Sequence, residues 1–360
     1  MPLLDPQAVS GLTQAAVGQF LLQGQSPNTV ASYGTATRYW SAWFAARYGQ
    51  PLALPVSVPV VLQFIVDHAE RLADSDDGPA ASGRPARLVH DLPEEIDRLL
   101  VATHFKGKVG AIALGTLAHR ISVLSKVHQL RGLDNPCAYP SVRQLLRKVR
   151  TSYARRQVRP HQQKALTRDL LEEVLATCDT PPIGIRDRAL LLFAWSSGGR
   201  RRSEVAEATM ENLQDHGDRG YVYVLGHSKT NQEGRATDSM QKPIAGRAAA
   251  ALRAWLDLSG VRSGPIFRRV IKGGRILAEP LAPRAVRTIV MNRATRAGLP
   301  GHYSAHSLRS GFVTEAGRQQ VPAGDAMKMT GHKNWEAFMG YYRVGDLLSS
   351  ETARMLDGPG

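Results

Sequence analysis

The sequence predicts a mainly α-helical protein with one small β-sheet, organised in two domains. Apolar residues recur at helical spacing through most of the chain. One stretch, residues 221–244, alternates and turns as a β-hairpin does. A chain of 360 residues is long enough for two domains, each with its own core. The apolar content of 43% and the charged content of 21% are ordinary for a folded protein.

We expect residues 1–156 to form the first domain, entirely from helices. Helical spacing predicts four helices before residue 132, which begin near Asn28, Val58, Leu92 and Ala111. The first carries a series of residues at helical spacing: Val30, Tyr33, Thr37, Trp40 and Phe44. The second is expected to run to Leu72. An apolar patch at 15–22 predicts a short leading helix, and the Gly-, Pro-, Ser- and Asp-rich residues 73–87 predict a flexible loop.

The segment SVRQLLRKVRTSYARR, which begins at Ser141, predicts a helix with a strongly basic surface. Its buried face is expected to comprise Val142, Leu145, Leu146, Val149 and Tyr153. Its other faces carry six cations with no intervening acid, namely Arg143, Arg147, Lys148, Arg150, Arg155 and Arg156. Cations at this density repel one another without a partner, so we expect this helix to contact a DNA backbone.

Residues 157–166 lack periodicity and contain Pro160, so they predict a linker, and residues 167–360 predict a second domain. Two helices open this domain. The second of them, IGIRDRALLLFAWSS, is apolar nearly all round and is predicted to be buried. The β-hairpin follows, and further helices are predicted at 246–259 and 283–298. Beyond residue 346, apolar residues and a serine start signal predict a short C-terminal tail helix.

The chain is strongly basic, with 46 Lys and Arg against 31 Asp and Glu, a net charge of +15. This balance favours a polyanionic partner, and nucleic acid above a membrane because no basic amphipathic anchor stands out. Cys137 and Cys178 lack the spacing of metal ligands or redox pairs, which predicts ordinary thiols in a reducing compartment. No signal peptide or membrane span is expected, so the predicted location is the cytoplasm.

The chemically most informative stretch lies near the end of the chain. His306 and Arg309 stand three residues apart in a predicted helix, followed by a Gly-His pair that ends in His332 and, nine residues later, by Tyr341. The three-residue spacing places His306 and Arg309 on one helix face. Together they suit an oxyanion, because arginine binds two phosphate oxygens and histidine exchanges a proton near neutral pH.

Helical phase separates the two tyrosines of the Tyr341-Tyr342 pair. Trp335, Phe338, Met339 and Tyr342 form one apolar face of a predicted helix, with Tyr342 in its middle. Tyr341 lies about 100° from that face. We therefore expect Tyr342 to pack in the core and the hydroxyl of Tyr341 to be available for chemistry.

This constellation resembles the tyrosine recombinase (phage integrase) family, and within it the Cre-like members. The resemblance is specific from about residue 165 to 357 and only architectural before that. It implies an all-helical N-terminal core-binding domain and a mainly α catalytic domain with a small sheet, forming a C-shaped clamp on DNA. It also implies a tyrosine nucleophile and a scissile phosphate held by two arginines, a lysine and two further residues, His/His or His/Trp.

The family pattern Gly-x-Arg-x-Ser-Glu matches Gly199, Arg201, Ser203 and Glu204. This match makes Arg201 the first catalytic arginine, with Glu204 three residues on to orient its guanidinium. Arg200 and Arg202 flank it, so the sequence leaves the register of this arginine open.

The resemblance also implies a lysine in the β-hairpin, for which Lys229 is the first candidate and Lys242 the second. In the implied reaction Tyr341 attacks the phosphate, His306 takes its proton, and Lys229 protonates the departing 5′ oxygen. Arg201, Arg309 and His332 donate to the phosphate oxygens. No metal and no cofactor are required by this chemistry.

As partners, the resemblance implies double-stranded DNA with an inverted-repeat site and a homotetramer on that DNA, without a membrane. The implied activity is site-specific recombination of a mobile element through a 3′-phosphotyrosine and a Holliday junction, at the nucleoid. Besides the basic helix, Arg268, Arg269 and Lys272 are expected to contact DNA. The alternatives are a type IB topoisomerase-like enzyme, which relaxes DNA as a monomer, and a non-catalytic DNA-binding protein.

Overall fold

The structure is a computed structural model that describes residues 26–73, 88–158, 163–179, 181–226 and 240–346. The chain divides into two compact units between residues 160 and 161. Some predicted features lie outside the described residues: the apolar patch at 15–22, the loop predicted at 73–87 apart from residue 73, the hairpin segment with Lys229, and the tail beyond residue 346.

The described part of the first unit is helical, as predicted, with one short β-pair. Its elements are α1 (Pro27–Tyr48), α2 (Val58–His68), β1 (Arg71–Leu72), β2 (Leu88–Val89), α3 (Glu94–Ala102), α4 (Leu114–Leu130) and α5 (Pro140–Arg155). Ser26 caps the start of helix α1, where its hydroxyl accepts a hydrogen bond from the Thr29 amide, and Gly49 caps its end in the left-handed conformation. None of the helices in the described ranges has both the length and the apolar character to span a membrane.

An aromatic cluster joins α1 to α2 in the core of the first unit. Trp40 stacks on Phe64 with ring centroids 3.6 Å apart, and Trp43 meets the same ring edge-on at 4.9 Å. The buried stripe of α1 therefore follows Ala36, Tyr39, Trp40 and Trp43. Of the series noted at helical spacing in the sequence, Trp40 lies in this core and Phe44 packs against it, whereas Val30 is exposed.

Helix α2 ends four residues before its predicted end. Arg71 and Leu72 leave the helix and pair antiparallel with Val89 and Leu88. The buried His68 side chain stabilises the last turn, since its two ring nitrogens lie 2.7 Å from Phe64 O and 2.6 Å from the Tyr39 hydroxyl. In its described ranges the first unit thus has this short β-pair as its only strands.

The second unit, like the first, is mostly helical. Its helices are α6 (Arg168–Ala176), α7 (Ile183–Ser196), α8 (Arg202–Ala206), α9 (Gly246–Ser259), α10 (Pro283–Arg296), α11 (Ala305–Arg318), α12 (Ala323–Thr330) and α13 (Trp335–Asp346). Its strands are β3 (Leu213–Asp215), β4 (Tyr221–Val224), β5 (Gln241–Ile244), β6 (Arg268–Val270) and β7 (Ile276–Pro280).

Helix α7 lies in the centre of the second unit and is buried on nearly every side, as its uniform apolar character predicts. The predicted hairpin is confirmed as β4 and β5, which pair antiparallel with Tyr221 opposite Ile244. Strand β3 extends it to an antiparallel sheet in the order β3-β4-β5. A second hairpin, β6-β7, was not predicted from the sequence.

The end of the predicted linker belongs to the second unit. Leu166 is fully buried, its amide donates to Ser307 O at 2.8 Å, and its carbonyl accepts from the indole of Trp195. The Lys164 amide likewise donates to His302 O. These hydrogen bonds hold residues 163–166 against the start of α11, so the absence of periodicity here reflects an extended, packed segment.

Helices α11 and α13 approach so closely that glycine is required at their contact. A Cβ atom on Gly317 would lie 2.2 Å from Tyr342 O, and the Thr314 hydroxyl donates to Tyr341 O at 3.3 Å. The position of α13, and with it the backbone of both tyrosines, is therefore fixed by α11.

We expect Gly317→Ala to destabilise the second unit by about 1–3 kcal/mol, the usual cost of inserting a methyl group into a packed contact. The added Cβ meets backbone, which has to move as a whole. Gly324→Ala is the matched control, because a Cβ there meets open space and alanine favours the helix. Thermal denaturation of both variants measures the difference. Equal melting temperatures would show that α13 adjusts freely.

Candidate active site

A cavity of about 440 Å³ opens in the second unit at the start of helices α8 and α11. Its described lining is basic and contains no acidic residue, namely Gln163, Arg200, Arg201, Arg202, Ser203, Arg287, Ser304, Ala305, His306 and Arg309. The structure thus brings Arg201, His306 and Arg309 together from segments more than a hundred residues apart. A small, cationic cavity of this kind suits an anion.

Arg309 lines this cavity and is buried. Nη1 donates to Gly199 O at 3.3 Å and Nε donates to His332 Nε2 at 3.2 Å. Nη2 is buried and, among the residues that the structure describes, has no hydrogen-bond partner. Burial, together with the nearby Arg201 and Arg200, lowers the pKa of Arg309 to about 9. A buried donor without an acceptor is costly unless a ligand supplies one.

Arg201 stands at the start of α8, where Glu204 holds it in place. The Arg201 amide donates to Glu204 Oε2 at 3.1 Å, and its Nη1 donates to Oε1 at 2.6 Å. Burial of Glu204 would raise its pKa, but Arg200 and Arg201 outweigh that effect and lower it, so Glu204 is ionised. The side chain of Arg201 is partly exposed, in contrast to that of Arg200, which is 2% exposed and turned inward. This geometry favours Arg201 as the arginine that faces a ligand.

His332 accepts a hydrogen bond in this structure, where the sequence predicted a donor to phosphate. Its Nε2 accepts from Arg309 Nε, so the ring proton is on Nδ1, which lies 2.8 Å from Thr330 Oγ1. Burial and the positive charge of Arg309 lower the pKa of His332 to about 4, which keeps the ring neutral. In this structure His332 is therefore an acceptor that orients Arg309. The expectation that it donates to a phosphate oxygen needs a proton that Nε2 lacks here.

The hydroxyl of Tyr341 lies 3.2 Å from His306 Nε2. Tyr341 is 37% exposed, on the face of α13 that meets the start of α11. Burial and the charge of Arg309 lower the pKa of His306 below its ordinary value, so the imidazole is neutral and able to accept a proton. This pair has the geometry of a nucleophile and its base.

Tyr342 packs where helical phase predicted. Its hydroxyl donates to Val321 O at 2.6 Å, and its ring stacks on the fully buried Phe338. Trp335, predicted on the same buried face, is 51% exposed. That part of the prediction was wrong, because Trp335 stands in the first turn of α13, beyond the helices that cover Phe338.

Of the two candidate lysines, Lys229 lies outside the described residues. Lys242 is 1% exposed on β5 and its Nζ donates to Lys328 O at 2.9 Å. It does not line the cavity. Its amine therefore faces a backbone carbonyl in the core and is not directed at a ligand.

The residues expected to contact DNA differ in how free they are. Arg143, Arg147, Lys148, Arg150 and Arg155 are exposed on α5, and Arg269 and Lys272 are exposed near β6. Arg156 is not free, because its guanidinium donates to Glu70 O and covers the Tyr153 ring at 4.4 Å. Arg268 donates to Pro265 O and Ser263 O. The sequence counts these charges but does not show which carbonyl groups they meet, and DNA contact by Arg156 and Arg268 stays a prediction.

The sequence alone did not indicate several residues of the cavity. Gln163 and Ser304 hydrogen-bond to each other at its edge, and Arg287 reaches it from α10. Gln163 fell in the predicted linker and Arg287 in an ordinary helix, so neither carried a signal. Ser304 did carry one, because a serine just before a helical run is a typical N-cap and its hydroxyl accepts from the His306 amide. Within the described ranges, no group of His, Cys, Asp or Glu is arranged to hold a metal ion.

Comparison with known proteins places this site in a family. A family profile described as the phage integrase family matches residues 164–346, about half of the chain. The chain is 32% identical over 170 residues to an integrase/recombinase xerD homolog of Selenomonas ruminantium, covering 46% of this chain and 49% of that protein. It is 30% identical over 152 residues to tyrosine recombinase XerC of Xylella fastidiosa, covering 42% and 46%. The chain thus spans about half the length of the curated relatives it matches.

Two solved structures share the fold at low sequence identity. A lambda integrase dimer bound to a core site gives a TM-score of 0.54 at 15% identity, covering 92% of this chain and 95% of that one. The Tn1549 transposon integrase with transposon right end DNA gives 0.56 at 12%, covering 88% and 90%. The residues matched by the profile include α11, α12 and α13 as well as Arg201 and Arg309. The chain belongs to the phage integrase family.

Proposed function

We propose that this protein is a site-specific DNA recombinase that cuts and rejoins DNA strands through a 3′-phosphotyrosine. The observation that carries the proposal is the pair Tyr341 and His306, with oxygen and nitrogen 3.2 Å apart. Beside this pair, a nitrogen of Arg309 has no hydrogen-bond partner among the described residues. A nucleophile, its base and a preorganised cation are the parts needed to transfer a phosphodiester without help from a metal ion.

In the proposed step the Tyr341 hydroxyl oxygen attacks the scissile phosphorus while His306 Nε2 takes the hydroxyl proton. The bond from phosphorus to the 5′ oxygen breaks, and that oxygen takes a proton from Lys229. Arg309 Nη2 and the exposed end of Arg201 donate to the nonbridging oxygens, where negative charge increases. His332 acts through Arg309 by fixing its guanidinium plane.

The covalent product keeps the energy of the broken bond, so a free 5′ hydroxyl of another strand can attack it and rejoin the DNA without ATP. Exchange between two duplexes in this way passes through a Holliday junction. We propose double-stranded DNA with an inverted-repeat site as the substrate, a homotetramer as the active assembly, and the nucleoid in the cytoplasm as the location. Support for DNA as the substrate comes from the DNA complexes of the lambda and Tn1549 integrases, which share the fold.

The first unit is proposed to bind DNA through α5. Its exposed cations, from Arg143 to Arg155, have no acidic neighbours on the helix and suit a phosphate backbone. Arg269 and Lys272 supply a similar surface on the second unit. Such contacts add affinity that falls steeply with salt concentration and carries little sequence information.

The proposal is tested by covalent capture on DNA. A library of duplexes with random sequence and scattered nicks is incubated with the protein in EDTA, and DNA that remains attached after denaturation is sequenced. We expect captured fragments to share an inverted repeat, with the phosphate on Tyr341 by mass spectrometry. Absence of any adduct would refute the proposal. Relaxation of supercoiled plasmid without a preferred sequence would support a topoisomerase.

We expect the cleavage rate at saturating DNA to fall with a midpoint below pH 6.5, the ordinary pKa of histidine. The proposed base, His306, has a pKa below that value, so more than half of it is still unprotonated at pH 6.5. Single-turnover rates across the pH range measure this, with DNA affinity followed in parallel as the control. A midpoint above 6.5 would exclude His306 in this state as the base.

For the leaving group, we expect Lys229→Ala to slow cleavage by about 10²–10⁴-fold, the usual contribution of a general acid. A substrate with sulfur in place of the 5′ bridging oxygen should restore the rate, because a thiolate leaves without a proton. Lys242→Ala is the comparison, since its amine faces Lys328 O and sulfur should not rescue it. Rescue of Lys242→Ala and not of Lys229→Ala would reverse the assignment.

A further inference from the structure

The C-terminal end of α12 is capped by two buried cations from other parts of the second unit. Both donate to carbonyl groups of its last turn: Lys242 Nζ to Lys328 O at 2.9 Å, and Arg200 Nη2 to Met329 O at 2.7 Å and Thr330 O at 3.1 Å. These carbonyls have no partner within a helix, and together they carry the negative end of its dipole. The two cations complete the last turn of α12.

Both cations lie at buried positions, where an apolar side chain would cost less free energy to bury. Lys242 is 1% exposed and Arg200 2% exposed. Strand β5 alternates exposed and buried residues, and the other buried position holds Ile244. Burying a charge costs free energy unless it is paired, and Glu204 is the acid near both Arg200 and Arg201. Burial lowers the pKa of Lys242 to about 8, so its amine is still largely protonated at pH 7.

The capped turn leads directly into the active site. Thr330, whose carbonyl accepts from Arg200, also accepts from His332 through its hydroxyl. His332 in turn accepts from Arg309. The loop that carries Arg200 is held against the same turn, because a Cβ on Gly198 would lie 2.4 Å from Met329 O. A continuous set of contacts therefore joins the two cations to the guanidinium of Arg309.

We propose that Arg200 and Lys242 are positioning residues that cap α12 and so fix His332 and Arg309 for the reaction. The inference rests on the proposed function for its rate effects. Neither residue touches DNA in this role. Departure from the apolar pattern at a buried position is expected where function, and not stability, determines the residue.

The test replaces each cation by methionine, which has similar length and no charge. We expect Arg200→Met and Lys242→Met to lower the single-turnover cleavage rate on captured DNA by on the order of 10²-fold, the effect of a small misplacement of a reacting group. DNA affinity and melting temperature should not fall. Gln241→Met, on the exposed side of the same strand, is the matched control and should cleave normally. Arg200→Lys should recover part of the rate, because it keeps the charge and one hydrogen bond.

A double-mutant cycle separates positioning from a general structural effect. If the cations act through His332, adding Lys242→Met to His332→Ala should cost little more than His332→Ala alone. Full additivity would overturn the proposal, as would variants that lose melting temperature and DNA affinity together while cleaving at the normal rate.

A measurement without DNA keeps this inference separate from the proposed function. The His332 Nδ1 proton, held by Thr330 Oγ1, should give a protected resonance in the NMR spectrum of histidine-labelled protein. We expect that resonance in the unsubstituted protein and in Gln241→Met, and its loss in Arg200→Met and Lys242→Met. If the resonance is lost in both methionine variants and the unsubstituted protein forms no DNA adduct, the capping role is supported and the recombinase proposal is refuted. If it persists in both methionine variants, the cap is refuted.

Discussion

Tyr341→Phe should abolish covalent attachment to DNA while DNA affinity stays within a few-fold. The substitution removes one oxygen atom, and that atom is the proposed nucleophile, 3.2 Å from His306 Nε2. The side chain is 37% exposed and makes little core contact, so the fold should not change. Denaturing gels of the protein with captured DNA measure attachment, and gel shifts on the same DNA measure affinity.

The neighbouring tyrosine supplies a matched control. Tyr342→Phe loses the hydrogen bond to Val321 O, which should cost about 0.5–1.5 kcal/mol of stability, and it should still form the adduct. The two variants differ from the natural sequence by the same atom at adjacent positions. If Tyr342→Phe is inactive and Tyr341→Phe still attaches to DNA, the assignment of the nucleophile is wrong.

The distinction between these tyrosines shows what sequence can predict. Phase along one helix is a local property, because each residue turns by a fixed angle from the last. The apolar neighbours Phe338 and Met339 are therefore enough to locate Tyr342 in the core. The same pattern wrongly predicted that Trp335 is buried. Whether the end of a helix is covered depends on elements that are distant in sequence.

The three adjacent arginines show what the sequence cannot predict. Arg200, Arg201 and Arg202 are chemically alike, and a short motif with arginines on both sides cannot say which one turns inward. The structure separates them through contacts from other elements. Arg201 donates a hydrogen bond to Glu204, and Arg200 donates to a carbonyl in the last turn of α12. The sequence offers Arg200 only as an alternative catalytic arginine, because its capping contacts lie about 130 residues away, beyond any local pattern.

The remaining difference concerns acceptors. The sequence shows that His332 and the basic residues can form hydrogen bonds, but it does not show with which groups. Many of those partners are backbone carbonyls. Those carbonyls come together only in the folded chain. This is why the sequence could not show that Arg156 and Arg268 donate to carbonyl groups of the protein, or that His332 accepts from Arg309.

Arg309 leads to the second large effect, in which activity and stability move in opposite directions. Both of its hydrogen-bond partners, Gly199 O and His332, are neutral, and Nη2 has none among the described residues. The neighbouring Arg200 and Arg201 share the single carboxylate of Glu204. The positive charge at Arg309 is therefore poorly compensated until an anion enters the cavity.

The pKa of Arg309 gives the sign of this effect. Its folded value of about 9 lies below the ordinary 12.5, so the folded state binds the proton less tightly than the unfolded state. Stability from such a group is present only above the unfolded pKa and is lost as the pH falls through about 9. At pH 7 Arg309 is charged in both states, so its burial lowers the free energy of unfolding by the full amount.

We therefore expect Arg309→Gln to lower the cleavage rate by about 10²–10³-fold or more, the usual loss on removing one oxyanion donor. At the same time its melting temperature at pH 7 should be unchanged or higher by about 2–4 °C, equivalent to on the order of 1 kcal/mol. Arg318→Gln is the control, since Arg318 is exposed on the same helix and lies 3.8 Å from Glu315. It should change stability by less than about 0.5 kcal/mol and leave cleavage intact. A clear fall in the melting temperature of Arg309→Gln at pH 7 would mean that Arg309 stabilises the empty site. Retained cleavage would remove it from the reaction.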